Sequence, residues 1–151
     1  MHGSASGTLP FVIPGTNDRR TDGDAREITR VREVASRAAG LELLLLFGSR
    51  ARGDAHAGSD WDFGYLGDAA LDMAALLADL VEAVGSDRVD LVDLSRAGGL
   101  LRYRAARDGL ALFERQPHAM EAFCLDAAAF WCDAEPILRR GYQDVLAELR
   151  A

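Results

Sequence analysis

The sequence predicts an α/β fold in one domain, closed by a C-terminal helical segment. Three observations lead there. The run "LELLLLF" over 41–47 is apolar nearly throughout and short for a helix, which suits a strand covered on both faces. The stretch "SDWDFGYL" over 59–66 alternates Asp60, Asp62 and Gly64 with Trp61, Phe63 and Tyr65, the period of a second strand. Around these runs lie segments whose apolar residues recur at three-four spacing, as in amphipathic helices.

The elements follow in order. Residues 1–23 are rich in Gly, Ser, Thr, Pro and Asp and read as a flexible tail, with Leu9–Ile13 as a patch that could dock on a partner. They lack the basic start and long apolar core of a signal peptide. Residues 24–116 form the main unit. Its first helix is 24–39, striped by Ile28, Val31, Val34 and Ala35 and stopped by Gly40. The strand 41–47 follows, then a Gly-rich loop over 48–58, then the alternating strand. A helix rich in Ala and Leu spans 69–84 and ends at Gly85, and "RVDLVDL" over 88–94 is a third strand. Ser95 can cap a helix running to about Asp108, and 109–115 is a short strand or extended edge. Pro117 can open a final helix over 117–151, a segment of the same domain. Phe123, Ala127, Phe130, Trp131, Ala134, Leu138, Tyr142, Val145 and Leu149 stripe it, as core or as a partner surface. Pro136 should kink or divide it near Asp133. No internal repeat or linker separates two domains.

The whole chain sets further bounds. With 151 residues it fits one core, and its hydrophobic fraction of 49% is ordinary. A formal charge of -7 argues against direct nucleic-acid binding, although 17 basic residues could still cluster. No apolar run approaches the roughly 20 residues that span a bilayer. On one continuous helix Cys124 and Cys132 would lie about 12 Å apart, beyond the roughly 7 Å a disulfide allows. Unbridged thiols fit a reducing cytoplasm, and a cytoplasmic location is expected.

The chemistry gathers between 48 and 93. Asp60 and Asp62 share a face of a strand, and two like charges so close repel and raise each other's pKa. Such a pair gains nothing structurally, but a divalent cation relieves it. Mg²⁺ takes carboxylate oxygens and keeps places for water and phosphate. Gly48 lets the backbone approach a ligand closely, and the Ser49 hydroxyl and nearby amides can bond phosphate oxygens. Arg50 and Arg52 can neutralise further phosphate charge. A two-metal phosphoryl-transfer site wants a third carboxylate, and "RVDLVDL" offers Asp90 and Asp93 on opposite faces. Asp90, between Val89 and Leu91, is expected in a buried run where a lone charge would be costly, so it is the preferred choice. His56 is expected at the surface, and Asp54 and Ser59 shape the turn. "LLRYRAARDG", with Arg102, Arg104 and Arg107, offers a basic face that is either solvated or turned toward a triphosphate or an acidic partner.

Gly48-Ser49, ten intervening residues, Asp60-Trp61-Asp62 and a later Asp90 together resemble the nucleotidyltransferase superfamily of DNA polymerase β type. The wording "FGSRARGDAHAGSDWDF" is similar to the minimal nucleotidyltransferase branch, and the likeness covers about residues 24–115. The resemblance implies a small mixed β-sheet flanked by helices (α+β). It implies transfer of a nucleoside monophosphate with release of pyrophosphate, with Asp60, Asp62 and Asp90 as catalytic metal ligands for two Mg²⁺ ions. It implies Gly48, Ser49, Arg50 and Arg52 at the phosphates. A chain this short looks like the antitoxin partner of a HEPN-type ribonuclease toxin. Such antitoxins bind the toxin in a hetero-oligomer and move AMP from ATP to one of its tyrosines. Transfer to a small molecule or an RNA end, and neutralisation of a toxin by binding alone, are the alternatives. One departure stands out: Trp61 occupies a position that is usually aliphatic in the family.

Overall fold

A computed structural model describes residues 23–150, apart from the side chains at 132–135, 137–139, 142, 145, 146 and 150. The expected tail 1–23, save Gly23, lies outside the described residues, as do the Leu9–Ile13 patch and the side chains of Cys132, Ala134, Leu138, Tyr142 and Val145. The elements run α1 (Ala25–Arg37), β1 (Leu41–Phe47), α2 (Gly48–Arg52), β2 (Trp61–Gly67), α3 (Met73–Val84), β3 (Val89–Asp93), α4 (Gly99–Asp108), β4 (Leu110–Glu114) and α5 (Ala119–Arg150). The strands form one mixed sheet in the order β3-β2-β1-β4. β1 pairs antiparallel with β2 and β4, and β2 pairs parallel with β3.

The central strand explains the leucine run. Leu44 and Leu46 enter a core made with Ile28, Val31 and Ala35 of α1 and Leu76 and Leu80 of α3. Leu43, Leu45 and Phe47 enter a second core with Ala105 and Ala106 of α4 and Met120, Phe123, Cys124 and Ala127 of α5. A register shift between Leu41 and Leu43 turns Leu41 into the first core. Each buried Leu contributes roughly 1.5–3 kcal/mol, so β1 anchors both layers.

Four boundaries differ from the sequence expectation, each for a local reason. Residues 48–52 are helical rather than loop: α2 is one short turn ended by Gly53 at φ 81°, whose amide donates to the Ser49 carbonyl at 3.0 Å. α3 begins at Met73, not 69. The Asp68 carboxylate takes the Ala70 amide at 2.8 Å and the Asp72 carboxylate caps Ala75 at 3.0 Å, so side-chain caps outweigh the helix preference of Ala69 and Ala70. Ser95 does not cap α4, because Asp93 accepts both its amide (2.9 Å) and its hydroxyl (2.6 Å). α5 opens at Ala119, after His118 at φ 68°, with the Glu114 carboxylate accepting the Met120 amide at 3.0 Å. Pro136 sits inside α5 without dividing it. Among the described residues no helix is long and apolar enough to cross a membrane.

Candidate active site

Sheet register brings the carboxylates together. Asp62 lies opposite Phe47 on β1 and opposite Asp90 on β3. Opposed residues point to one face, here the face of the second core, at the end where its apolar cover runs out. Asp60 immediately precedes β2, two residues before Asp62. Asp62 is half-buried, whereas Asp60 and Asp90 are exposed. The Asp62 carboxyl is pushed above its ordinary pKa of 3.8, first by burial and then by the charges of Asp90 and Asp60, with Arg52 opposing. Asp62 thus lies within the fields of both other acids.

Asp90 corrects one expectation. It is not embedded in a buried run, because β3 is an edge strand whose other residues are only partly buried and whose Asp90 is exposed. Pairing with Asp62, not burial, singles it out. Asp93, three residues on, is spent on the Ser95 turn and a 3.7 Å ion pair with Arg96.

The Gly48-Ser49 corner stands directly against this cluster. Gly48 has φ 71°, a conformation that favours glycine, and a Cβ built there would overlap the Asp62 Oδ2 and lie 3.1 Å from its Cγ. β1 can therefore turn into α2 while touching the carboxylate. The Ser49 hydroxyl has no partner among the described residues. The first amides of α2 have no acceptors within the helix.

Arg50, expected at the phosphates, is buried. Its Nε and one terminal nitrogen donate to the Ser59 carbonyl (3.3 and 2.8 Å), and its other terminal nitrogen pairs with Asp24 at 2.9 Å. Its guanidinium lies 4.2 Å from the Trp61 ring centroid. A cation so engaged has little left for a ligand. Arg52 stays exposed, in loose pairs with Asp54 (3.4 Å) and Asp108 (3.9 Å), and its charge reaches Asp62.

The connecting loop is internally tied. Ser59 Oγ accepts the His56 amide at 3.0 Å and His56 Nδ1 accepts the Gly58 amide at 3.2 Å. Two contributors escape sequence reasoning. Arg88 donates to the Gly58 carbonyl at 2.6 Å and holds the loop tip to β3, and Asp24 pairs with Arg50 across 26 residues. Neither sits in a motif, and only the folded register reveals them.

The basic segment on α4 is partly engaged, with Arg104 left exposed. Arg107 pairs with Asp108 at 2.8 Å, and the Arg102 guanidinium lies 5.6 Å from the Phe130 ring centroid. The aromatic stripe of α5 divides. Phe123 is core, Trp131 stacks on Tyr103 at 5.0 Å, and Phe130 is 46% exposed.

The donor set suits a hard divalent cation, since it offers carboxylate oxygens at a solvent-open end of the sheet. Among the described residues no three His, Cys, Asp or Glu side chains stand converged as a ready ligand set. A cation would draw in Asp60 and Asp90 by rotation about exposed side-chain bonds.

Comparison with known proteins agrees with this geometry. The family described as polymerase β nucleotidyltransferase matches residues 29–118. The protein adenylyltransferase MntA of Aphanizomenon flos-aquae is 34% identical over 96 residues, covering 55% of this chain and 63% of that protein. The chain thus spans less than two thirds of that relative's length. A toxin–antitoxin crystal structure with AMP-PNP superposes with a TM-score of 0.63 at 26% identity, over 82% of this chain and 98% of the other. An MntA–HepT toxin–antitoxin structure gives 0.57 at 25% identity, over 85% and 99%.

Proposed function

The chain belongs to the polymerase β nucleotidyltransferase family, and from that premise we propose that it is a Mg²⁺-dependent adenylyltransferase antitoxin. Its donor is ATP and its acceptor is a tyrosine hydroxyl on a HEPN-type ribonuclease toxin. The observation that carries this is the register Phe47–Asp62–Asp90 beside Gly48, which sets Asp62 next to Asp90 against a glycine-serine corner, with Asp60 two residues away. The similarity to an adenylyltransferase by name, and to a toxin–antitoxin complex holding an ATP analogue, supports the donor and the partner.

In this reading Asp60, Asp62 and Asp90 hold Mg²⁺, which supplies charge neutralisation to the triphosphate. Gly48 allows the phosphates to lie close to the backbone, Ser49 donates its hydroxyl to them, and Arg52 adds positive charge from the rim. The tyrosine oxygen attacks the α-phosphorus in line. A new oxygen–phosphorus bond forms as the bond to the bridging oxygen of the β-phosphate breaks, and pyrophosphate leaves. Asp90, on the exposed edge, accepts the tyrosine proton. Positioning and charge account for most of the acceleration.

Incubating the protein with labelled ATP, Mg²⁺ and a HEPN-type toxin tests this. Label should appear on a toxin tyrosine, depend on Mg²⁺, and vanish with Asp60→Asn or Asp62→Asn while the fold is retained. Label that goes instead to RNA ends or small molecules would move the acceptor. A wild-type protein that binds the toxin and labels nothing would leave only a binding antitoxin.

A further inference from the structure

We infer that Arg50 is a positioning residue, a clasp that sets the spacing between Asp60 and Asp62. The geometry stands on its own, and only its consequence for catalysis rests on the transferase reading above. Asp60 lies outside the ladder, since strand pairing begins with the Trp61 amide donating to the Arg88 carbonyl at 2.9 Å. Nothing in the sheet therefore fixes it. Arg50 holds its two neighbours instead. The guanidinium fork converges on the Ser59 carbonyl, and the same plane covers the Trp61 ring at 4.2 Å. Residues 59 and 61 are thus gripped by one cation, with Asp60 between them.

The third arm runs to Asp24 at the head of α1, 2.9 Å away, with the two side chains 9% and 21% exposed. A buried guanidinium needs such partners, and it has them on three sides. The hydrogen bonds between Ser59 and His56 stay inside the loop, and the Arg88 bond to the Gly58 carbonyl at 2.6 Å holds its tip but not residues 59 and 61. Trp61 gains a purpose here. An aliphatic side chain would leave the guanidinium without an aromatic face. Lysine cannot replace Arg50, because an ammonium has neither the planar fork nor the stacking surface.

The test is Arg50→Lys, read in three ways. In the free protein, amide exchange over residues 53–61 should accelerate while β1 and β4 stay protected. Affinity for AMP-PNP with Mg²⁺ should fall only alongside that faster loop exchange, because the metal ligand Asp60 sits in the loosened segment. Turnover should fall on the order of 10²-fold, the cost of misplacing a reacting group by about an ångström. A loss of AMP-PNP affinity with unchanged loop exchange would make Arg50 a phosphate ligand and overturn the clasp. Faster exchange everywhere would reduce it to general stability and overturn it too. If Arg50→Lys does not fold, Asp24→Asn removes one arm and keeps the fork and ring. It should shift loop exchange and turnover the same way by less, and no change in both ends the proposal. A wild-type protein that transfers nothing defeats the transferase reading alone, because loop exchange still reports on the clasp.

Discussion

Asp62 shows how a single residue is held against its own stability. Burial, Asp90 and Asp60 all raise its pKa, and Arg52 only partly compensates. The folded state therefore binds the Asp62 proton more tightly than the unfolded chain does. Folding stability falls as pH rises from the ordinary carboxylate value of 3.8 through the raised folded value, and the loss persists at neutral pH. Asp62→Asn removes the charge and keeps the shape. Its melting temperature in chelator at pH 7 should exceed that of the wild type, and the two should converge below pH 3.8. Mg²⁺ should then raise the wild-type value and leave the variant nearly unmoved. A variant less stable at pH 7 would show that the charge is already neutralised within the fold. Gly48 belongs to the same arrangement, since only a residue without Cβ fits against that carboxylate at φ 71°.

At the level of elements, the strands were legible because a period of two and a full apolar run are strong signals, and both survive in β1 and β2. Helix starts were less legible. Asp68, Asp72 and Asp93 each take nearby amides through their side chains, and composition does not say which acid will do so. The five-residue α2 carries too few turns to show a period. The Gly48-Ser49 and Asp60-Asp62 spacings could be read along the chain, but the partnership of Asp62 with Asp90 depends on β3 lying parallel beside β2. The flanking Val89 and Leu91 suggest a burial that Asp90 does not have, and the contacts of Arg50 with Ser59, Trp61 and Asp24 leave no trace in its place beside Ser49. The two acids of β3 now separate by role. Asp93→Ala should cost about 1 kcal/mol in chemical denaturation, through the lost Ser95 turn, while transfer stays measurable. Asp90→Ala should change stability by less than about 0.5 kcal/mol, as an exposed site, yet abolish transfer. Equal losses of activity in both variants would mean that the two faces of β3 are not distinct.

For the whole molecule the governing quantity is charge. The chain carries -7, and its candidate site is an acidic end of the sheet. ATP, the proposed donor, is itself a polyanion, so without a cation it and the protein repel. Arg52 alone, 44% exposed and shared with Asp54 and Asp108, does not reverse that field. Screening acts on such repulsion at long range. Between about 0.01 and 0.1 M salt the Debye length shrinks from about 30 to about 10 Å. In chelator, the affinity for ATP should therefore be weak and should rise with salt over this interval, opposite to a protein that captures nucleotides with a basic pocket. With Mg²⁺ present affinity should rise sharply and lose most of its salt dependence, because the acids then face a neutralised triphosphate. Titration calorimetry across the salt series separates the cases. Metal-free affinity that falls as salt is added would show that arginines, not a cation held by Asp60, Asp62 and Asp90, dominate the nucleotide's approach.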